Sequence, residues 1–218
     1  MALVSPSILA ADWRNLPEEI RKMEEAGATF IHIDVMDGVF VRRKTFDPSV
    51  LDAFKAFPNL IRAVHLMVKD VEGNIRAYAE KGANIITFHL EACKNSAEAH
   101  YFIQLIHSLG VKAGMSIRPG TPVESLFPYF EELDLILIMS VEPGEGGQPF
   151  QMASLSRLDA IKQKAVETGH DLYIQVDGGI NEITAPLVVK AGANLLVSGS
   201  YLYGSPSYQR RLKELLAL

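Results

Sequence analysis

The chain is punctuated by one recurring device: a glycine that stops a helix, followed at once by a short apolar run. Ala26-Gly27-Ala28 precedes Phe30-Ile31-His32, Lys81-Gly82-Ala83 precedes Ile85 to His89, Leu109-Gly110-Val111 precedes Ala113 to Ile117, and Ala191-Gly192-Ala193 precedes Leu195-Leu196-Val197. Glycine accepts the left-handed backbone that closes a helix, and the runs beyond it read as strands buried on both faces, the mark of a parallel sheet. An apolar start at Leu3 to Leu9 and runs at Ile61 to Met67, Leu135 to Ser140 and Leu172 to Asp177 bring the strands to eight, with amphipathic helical stretches between or after them. The first helix is expected through Pro17 to Met23, capped by Asp12 or Asn15, with Glu18 and Glu19 placed early and Arg21 and Lys22 later, as the helix dipole prefers. Eight βα units in 218 residues predict an α/β fold, a closed (β/α)8 TIM barrel occupying 1–218 as a single domain. An open doubly wound sheet is the other arrangement that the pattern admits.

The totals narrow the function. A net charge of −5 argues against a nucleic-acid partner, which would want a basic face. No apolar run approaches the ~18 residues of a membrane span, so no membrane partner is expected. Cys93 is the only cysteine, which fits a reducing, cytoplasmic setting. The start, Met-Ala-Leu-Val-Ser-Pro, does not read as a signal peptide.

In such barrels the chemistry sits at the C-terminal ends of the strands. The second strand carries His32 and Asp34, two residues apart and therefore on one face, while Ile31, Ile33 and Val35 pack the other. Burying an imidazole beside a carboxylate is costly without a partner for both. A divalent cation is one such partner; a plain His–Asp hydrogen bond is the alternative that this stretch leaves open. The third strand adds His65, the fourth His89 and Glu91, and the seventh Asp177. Two nitrogen and two oxygen ligands from three strands suit Zn2+, Fe2+, Mn2+ or Co2+. Glycines cluster at three successive strand ends: Pro143-Gly144-Glu145-Gly146-Gly147-Gln148, Gly178-Gly179 and Gly199-Ser200. Backbone N–H groups freed of side chains can approach an anion, so a phosphate site is expected there. The spacing is neither a Walker loop nor a good dinucleotide fingerprint.

Taken together, Pro6-Ser7-Ile8-Leu9-Ala10-Ala11-Asp12, His32 to Val41, His65-Leu66-Met67-Val68, Met139 to Gly144, Gly146 to Phe150 and Val176 to Ile180 resemble the ribulose-phosphate 3-epimerase family over nearly the whole chain. The resemblance implies a metal-dependent ketose-phosphate 3-epimerase, most simply one interconverting D-ribulose 5-phosphate and D-xylulose 5-phosphate. It implies one divalent metal ion held by His32, Asp34, His65 and Asp177, with Asp34 and Asp177 as the acid–base pair. Ser7 and His65 would touch substrate oxygens, and Gly144, Glu145, Gly146, Gly147, Gly178, Gly179, Gly199 and Ser200 would hold the phosphate. Met36, Met67 and Met139 would line the reacting carbon. A small-molecule sugar phosphate is the implied partner, and a homo-oligomer, dimer or hexamer, the implied assembly. The chemistry requires two bases, because one base working from one face would return the starting sugar; a cation on the carbonyl would act as the Lewis acid.

The chain departs from the family pattern at Arg42-Arg43-Lys44, Asp47, Arg118 and Glu145. The three cations read either as a solvated loop or as arms reaching the mouth of the barrel. Glu145, beside an expected phosphate, should turn outward or meet a cation such as Arg118. These positions leave open D-allulose 6-phosphate as the substrate. An aldolase or decarboxylase is disfavoured: Lys69 and Lys112 are badly placed for a Schiff base, and Met36 stands where the related decarboxylases carry a lysine. A sugar-phosphate-binding barrel without turnover would predict a missing ligand or acid–base residue, and none is missing.

Overall fold

The computed structural model describes residues 2–218. Eight strands, β1 (Leu3–Pro6), β2 (Phe30–Met36), β3 (Ile61–Met67), β4 (Ile85–His89), β5 (Lys112–Ile117), β6 (Leu135–Met139), β7 (Tyr173–Asp177) and β8 (Leu195–Ser198), form one sheet. Every paired neighbour is parallel, with β1 next to β8 and the ladder running down in order to β2. A parallel bridge between Ser7 and His32 joins β1 to β2 and closes the barrel. The open sheet is thereby excluded. No helix is long and apolar enough to cross a membrane among the described residues.

Among the described residues seven α-helices accompany the strands: α1 (Leu16–Glu25), α2 (Val71–Glu80), α3 (Ser96–Ser108), α4 (Ser154–Thr168), α5 (Thr184–Ala191), α6 (Ser200–Tyr203) and α7 (Tyr208–Leu216). The expected cap of α1 divides between two residues. Asp12 accepts the Arg14 N–H and caps a short 3-10 turn, Trp13–Asn15, while Asn15 precedes α1 without a side-chain cap bond. Two connections that were expected to be helical are 3-10 segments, Pro48–Phe54 after β2 and Val123–Glu132 after β5. In the second, Pro128 interrupts from inside, removing an N–H and restricting the residue before it.

The alternation of β2 sorts its side chains as the pattern requires. Ile31, Ile33 and Val35 join the core between barrel and helices, together with Ile20, Met23 and Phe54. Phe30, Ala63, Ile85, Leu135 and Leu195, at or near the starts of their strands, fill the interior at its N-terminal end with Leu3, Ile61 and Tyr173 packed against them. Each large side chain fully buried there, such as Phe30, Ile85, Leu135 or Leu195, stabilises the fold by about 1.5–3 kcal/mol through loss of water-exposed apolar surface. With that end plugged, the polar interior side chains are left near the C-terminal rim.

Candidate active site

Register brings the polar side chains together. Asp34 pairs with His65 across β2 and β3, and Met139 with Asp177 across β6 and β7. One ligand atom each from His32, Asp34, His65 and Asp177 lies within 4.8 Å of the others. Asp34 Oδ1 is 3.2 Å from both His32 Nε2 and His65 Nδ1, and His32 Nε2 is 3.7 Å from Asp177 Oδ2. Ser7 Oγ donates to Asp34 Oδ2 at 2.6 Å, which fixes the second carboxylate oxygen.

The backbone around these groups is held by its own polar network. Thr45 donates its hydroxyl to the Asp34 carbonyl at 2.6 Å and accepts the Met36 N–H at 2.9 Å, folding the loop after β2 back over the strand end. Asp37 accepts N–H bonds from Val39 and Phe40 with one oxygen and from Lys69 with the other, tying the ends of β2 and β3 together. Ser140 donates to the carbonyls of Asp177 and Gly178 and so anchors the end of β7.

Electrostatics sets the two carboxyls apart. Burial, reinforced by the Asp34 charge, pushes the Asp177 carboxyl up to about 7. Asp34 is equally buried, but the neighbouring His32 and the contact with His65 hold it well below the usual carboxylate range. Burial pulls His65 down to about 4, whereas in His32 the two carboxylates outweigh burial and raise it. A dication among these groups would favour the charged form of both acids.

The donor set fits such an ion. His32 is 1% exposed, yet neither of its ring nitrogens makes a hydrogen bond, the Nε2–Asp34 approach being misaligned for one. Buried polar groups in folded proteins are almost always partnered. Two imidazoles and two carboxylates around one point match the nitrogen and oxygen preferences of Zn2+, Fe2+, Mn2+ and Co2+.

Above the cluster opens a cavity of about 660 Å³. Ser7, Asp34, Asp177, the methionines Met36, Met67 and Met139, and all eight expected phosphate-loop residues, Gly144, Glu145, Gly146, Gly147, Gly178, Gly179, Gly199 and Ser200, line it. His32 and His65 do not; both lie under the floor, and His65 meets Asp34 and His89 there. Gly179, at φ +65°, passes so close to Phe150 that a Cβ would stand 2.8 Å from its backbone nitrogen. Gly179→Ala is therefore expected to destabilise the protein by about 2 kcal/mol or more, from left-handed strain and the backbone clash together; the midpoint of urea unfolding measures this.

The unusual positions separate. Arg43 lines the cavity and stacks its guanidinium over Trp13, 5.4 Å from the ring centroid. Arg42 and Lys44 are exposed and do not line it. Asp47 is a cap, accepting the Ser49 N–H at the start of the 3-10 segment. Arg118 does not meet Glu145, as the sequence suggested it could; it donates to the Phe40 carbonyl at 3.2 Å and lies over the Phe40 ring. Glu145 is exposed and forms no ion pair among the described residues. Of the remaining histidines, His100, His107 and His170 bond to Glu132, Asp134 and the Leu133 carbonyl, away from the cluster. No sequence pattern points to Arg157, a helix cation whose guanidinium turns inward to bond the carbonyls of Arg118, Thr121 and Met139.

Fold and site together define a (β/α)8 barrel with a two-histidine, two-aspartate centre beneath a glycine-rimmed mouth. The model of the ribulose-phosphate 3 epimerase family matches residues 3–203. The chain is 46% identical over 216 residues to a ribulose-phosphate 3-epimerase of Bacillus subtilis, covering 99% of this chain and 98% of the relative. It is 39% identical to a ribulose-phosphate 3-epimerase of Escherichia coli K12, covering 98% and 94%, and 39% identical to the chloroplastic ribulose-5-phosphate-3-epimerase of Arabidopsis thaliana, covering 99% and 76%. Among solved structures, a 3-hexulose-6-phosphate synthase superposes with a TM-score of 0.70 at 20% identity, covering 100% of this chain and 99% of that one, which shows the fold alone. The chain belongs to the ribulose-phosphate 3-epimerase family, a family of isomerases.

Proposed function

We propose that this protein interconverts D-ribulose 5-phosphate and D-xylulose 5-phosphate by proton transfer at C3. The observation that carries the proposal is the meeting of Asp34 and Asp177, from strands on different sides of the barrel, at the floor of the glycine-rimmed cavity. His32, Asp34, His65 and Asp177 would hold the divalent cation, which supplies Lewis-acid polarisation of the ketone and so makes its neighbouring C–H acidic. Asp34 and Asp177 each present a carboxylate to the cavity: one takes the proton from one face of C3, and the other returns a proton to the opposite face. Ser7, bonded to Asp34, fixes that carboxylate and keeps its second oxygen from turning away. Met36, Met67 and Met139, 1–3% exposed, wall the reacting carbon with surface that cannot exchange protons. The loops at Gly144 to Gly147, Gly178-Gly179 and Gly199-Ser200 would receive the phosphate on backbone N–H groups. A cytoplasmic homo-oligomer, with no nucleic-acid or membrane partner, completes this reading.

A second reading, D-allulose 6-phosphate as the preferred sugar, is favoured by Arg43. Among the described residues it is the only lysine or arginine on the cavity wall, where Glu142, Glu145 and Glu182 also stand. Side-by-side rates on the two ketose phosphates decide between them. On either sugar, Arg43→Gln should raise KM roughly threefold with kcat nearly unchanged, the scale of one exposed and partly screened charge acting on an anion. Steady-state kinetics at low and high salt checks this, because the difference from wild type should shrink as salt rises.

A further inference from the structure

The floor of the site continues into a line of groups that the epimerisation itself does not use. Asp34 Oδ1 faces His65 Nδ1 at 3.2 Å, His65 Nε2 faces His89 Nε2 at 2.9 Å, and His89 Nδ1 faces Glu91 Oε2 at 3.1 Å. Both imidazoles are fully buried, 0% exposed. The far end is firmly anchored. The other Glu91 oxygen accepts the Arg118 N–H at 2.7 Å and the Thr121 hydroxyl, and the turn carrying those donors is clamped by Arg157 on the carbonyls of Arg118 and Thr121 at 2.8 and 3.0 Å.

This line has three gaps and two carboxylate ends. Each neutral imidazole carries one N–H, so two protons are available to fill three contacts. With both rings neutral, as ligation of an ion by His65 requires, the line holds two N–H groups between two carboxylates. One contact must then set acceptor against acceptor. Were His65 to donate to Asp34, the deficit would fall either at Glu91, facing a bare His89 Nδ1, or between two bare Nε2 atoms, according to which nitrogen of His89 carries its proton. With the polarity reversed, both protons run toward Glu91 and the bare nitrogen is His65 Nδ1, aimed at Asp34. Only the second arrangement leaves the deficit where a cation can fill it.

We propose that Glu91 and His89 are positioning residues for the cation site: by accepting in series, they fix His65 as the Nε2–H tautomer and present its Nδ1 lone pair to the ion shared with Asp34. This rests on reading the four-residue cluster as a cation site. β4 ends at His89 and Glu91 follows in a short 3-10 turn, Leu90–Ala92; the step serves this role, since each ring nitrogen of His89 has one partner and one direction.

Two measurements test it, both on the full-length protein. In two-bond proton–nitrogen spectra of 15N-histidine-labelled protein loaded with Zn2+, His65 should carry its proton on Nε2 and His89 on Nδ1; a proton on His65 Nδ1 overturns the proposal. Titration of metal-free protein with Co2+ alone, followed by its visible absorption, should show His89→Leu weakened about 10- to 100-fold, the usual cost of losing an outer partner of a metal-ligating histidine. His89→Gln can accept from His65 through its carbonyl and donate to Glu91 through its amide, so it should stay within about threefold of wild type. Wild-type affinity in His89→Leu, or equal losses in both variants, would overturn the polarity argument while leaving the cation site standing. Wild-type protein that takes up neither ion would overturn the cation reading and this proposal with it.

Discussion

Asp177→Asn is expected to lower kcat for epimerisation roughly a thousandfold, about 4 kcal/mol of lost transition-state stabilisation, with the fold unchanged. The amide has the shape of the carboxyl but cannot take or return a proton. Fold preservation is expected because Asp177 makes no hydrogen bond through its side chain to the surrounding loops; its strand end is anchored through backbone carbonyls by Ser140. The loss should also be asymmetric. Asp34 remains, and it can still exchange the C3 hydrogen of the one epimer that presents it to that face. Incubation of each pentulose phosphate in heavy water, with metal content checked by elemental analysis, should therefore show wash-out from one sugar and none from the other. Asp34→Asn should reverse the preference, though it also replaces one of the two oxygens that meet Ser7 and the imidazoles with an NH2 group and should be the less stable variant. Turnover within tenfold of wild type in either protein would refute the assigned roles.

The second large effect is expected on removal of metal. Dialysis against a strong chelator should reduce turnover at least ~100-fold, since Lewis-acid stabilisation of developing charge is worth several kcal/mol. Addition of Zn2+, Mn2+, Fe2+ or Co2+ should restore it, and comparison of the four identifies the ion that serves best. Stability should follow. At an ion concentration about 100 times Kd, the linkage gain is about 2.7 kcal/mol, which for a chain of this size raises Tm by roughly 5–10 °C. The physical source is local: His32 has no hydrogen-bond partner for either ring nitrogen, and Asp177 is driven toward its neutral form by burial and by Asp34. Full turnover and an unchanged Tm in chelator-treated protein, with metal shown to be absent, would contradict the account.

Much of the barrel was legible because strand-by-strand burial leaves a direct trace. Ile61–Met67 and Ile85–His89 appear with the bounds that the apolar runs predict, since parallel strands covered on both faces read as nearly continuous apolar runs. Gly27, Gly82, Gly110 and Gly192 all adopt positive φ where helices stop. His32 and Asp34 were legible as a pair because strand alternation is strict. Their meeting with His65 and Asp177 was predicted from strand ends and family resemblance, and the register supplies it. The two 3-10 connections were not legible as such, because amphipathic spacing alone does not separate one helical hydrogen-bond pattern from another. The proton-limited line through His89 to Glu91 was visible only as two residues at a strand end, since its meaning depends on which nitrogen faces which atom. Arg157 left no signal, because an inward-turning guanidinium on a helix has the same sequence spacing as one in solvent.

The central claim is that two carboxylates, one on each side of a sugar carbon, invert it by removing one proton and delivering another. It is tested most directly by converting D-ribulose 5-phosphate in heavy water with metal-loaded protein and reading the first product formed. The account predicts D-xylulose 5-phosphate carrying deuterium at C3, one deuteron for each inversion, because the returning acid equilibrates with solvent before the sugar arrives. Product that keeps its original C3 hydrogen would contradict it, and would point to a single shuttling base or to cleavage and rejoining of a carbon–carbon bond.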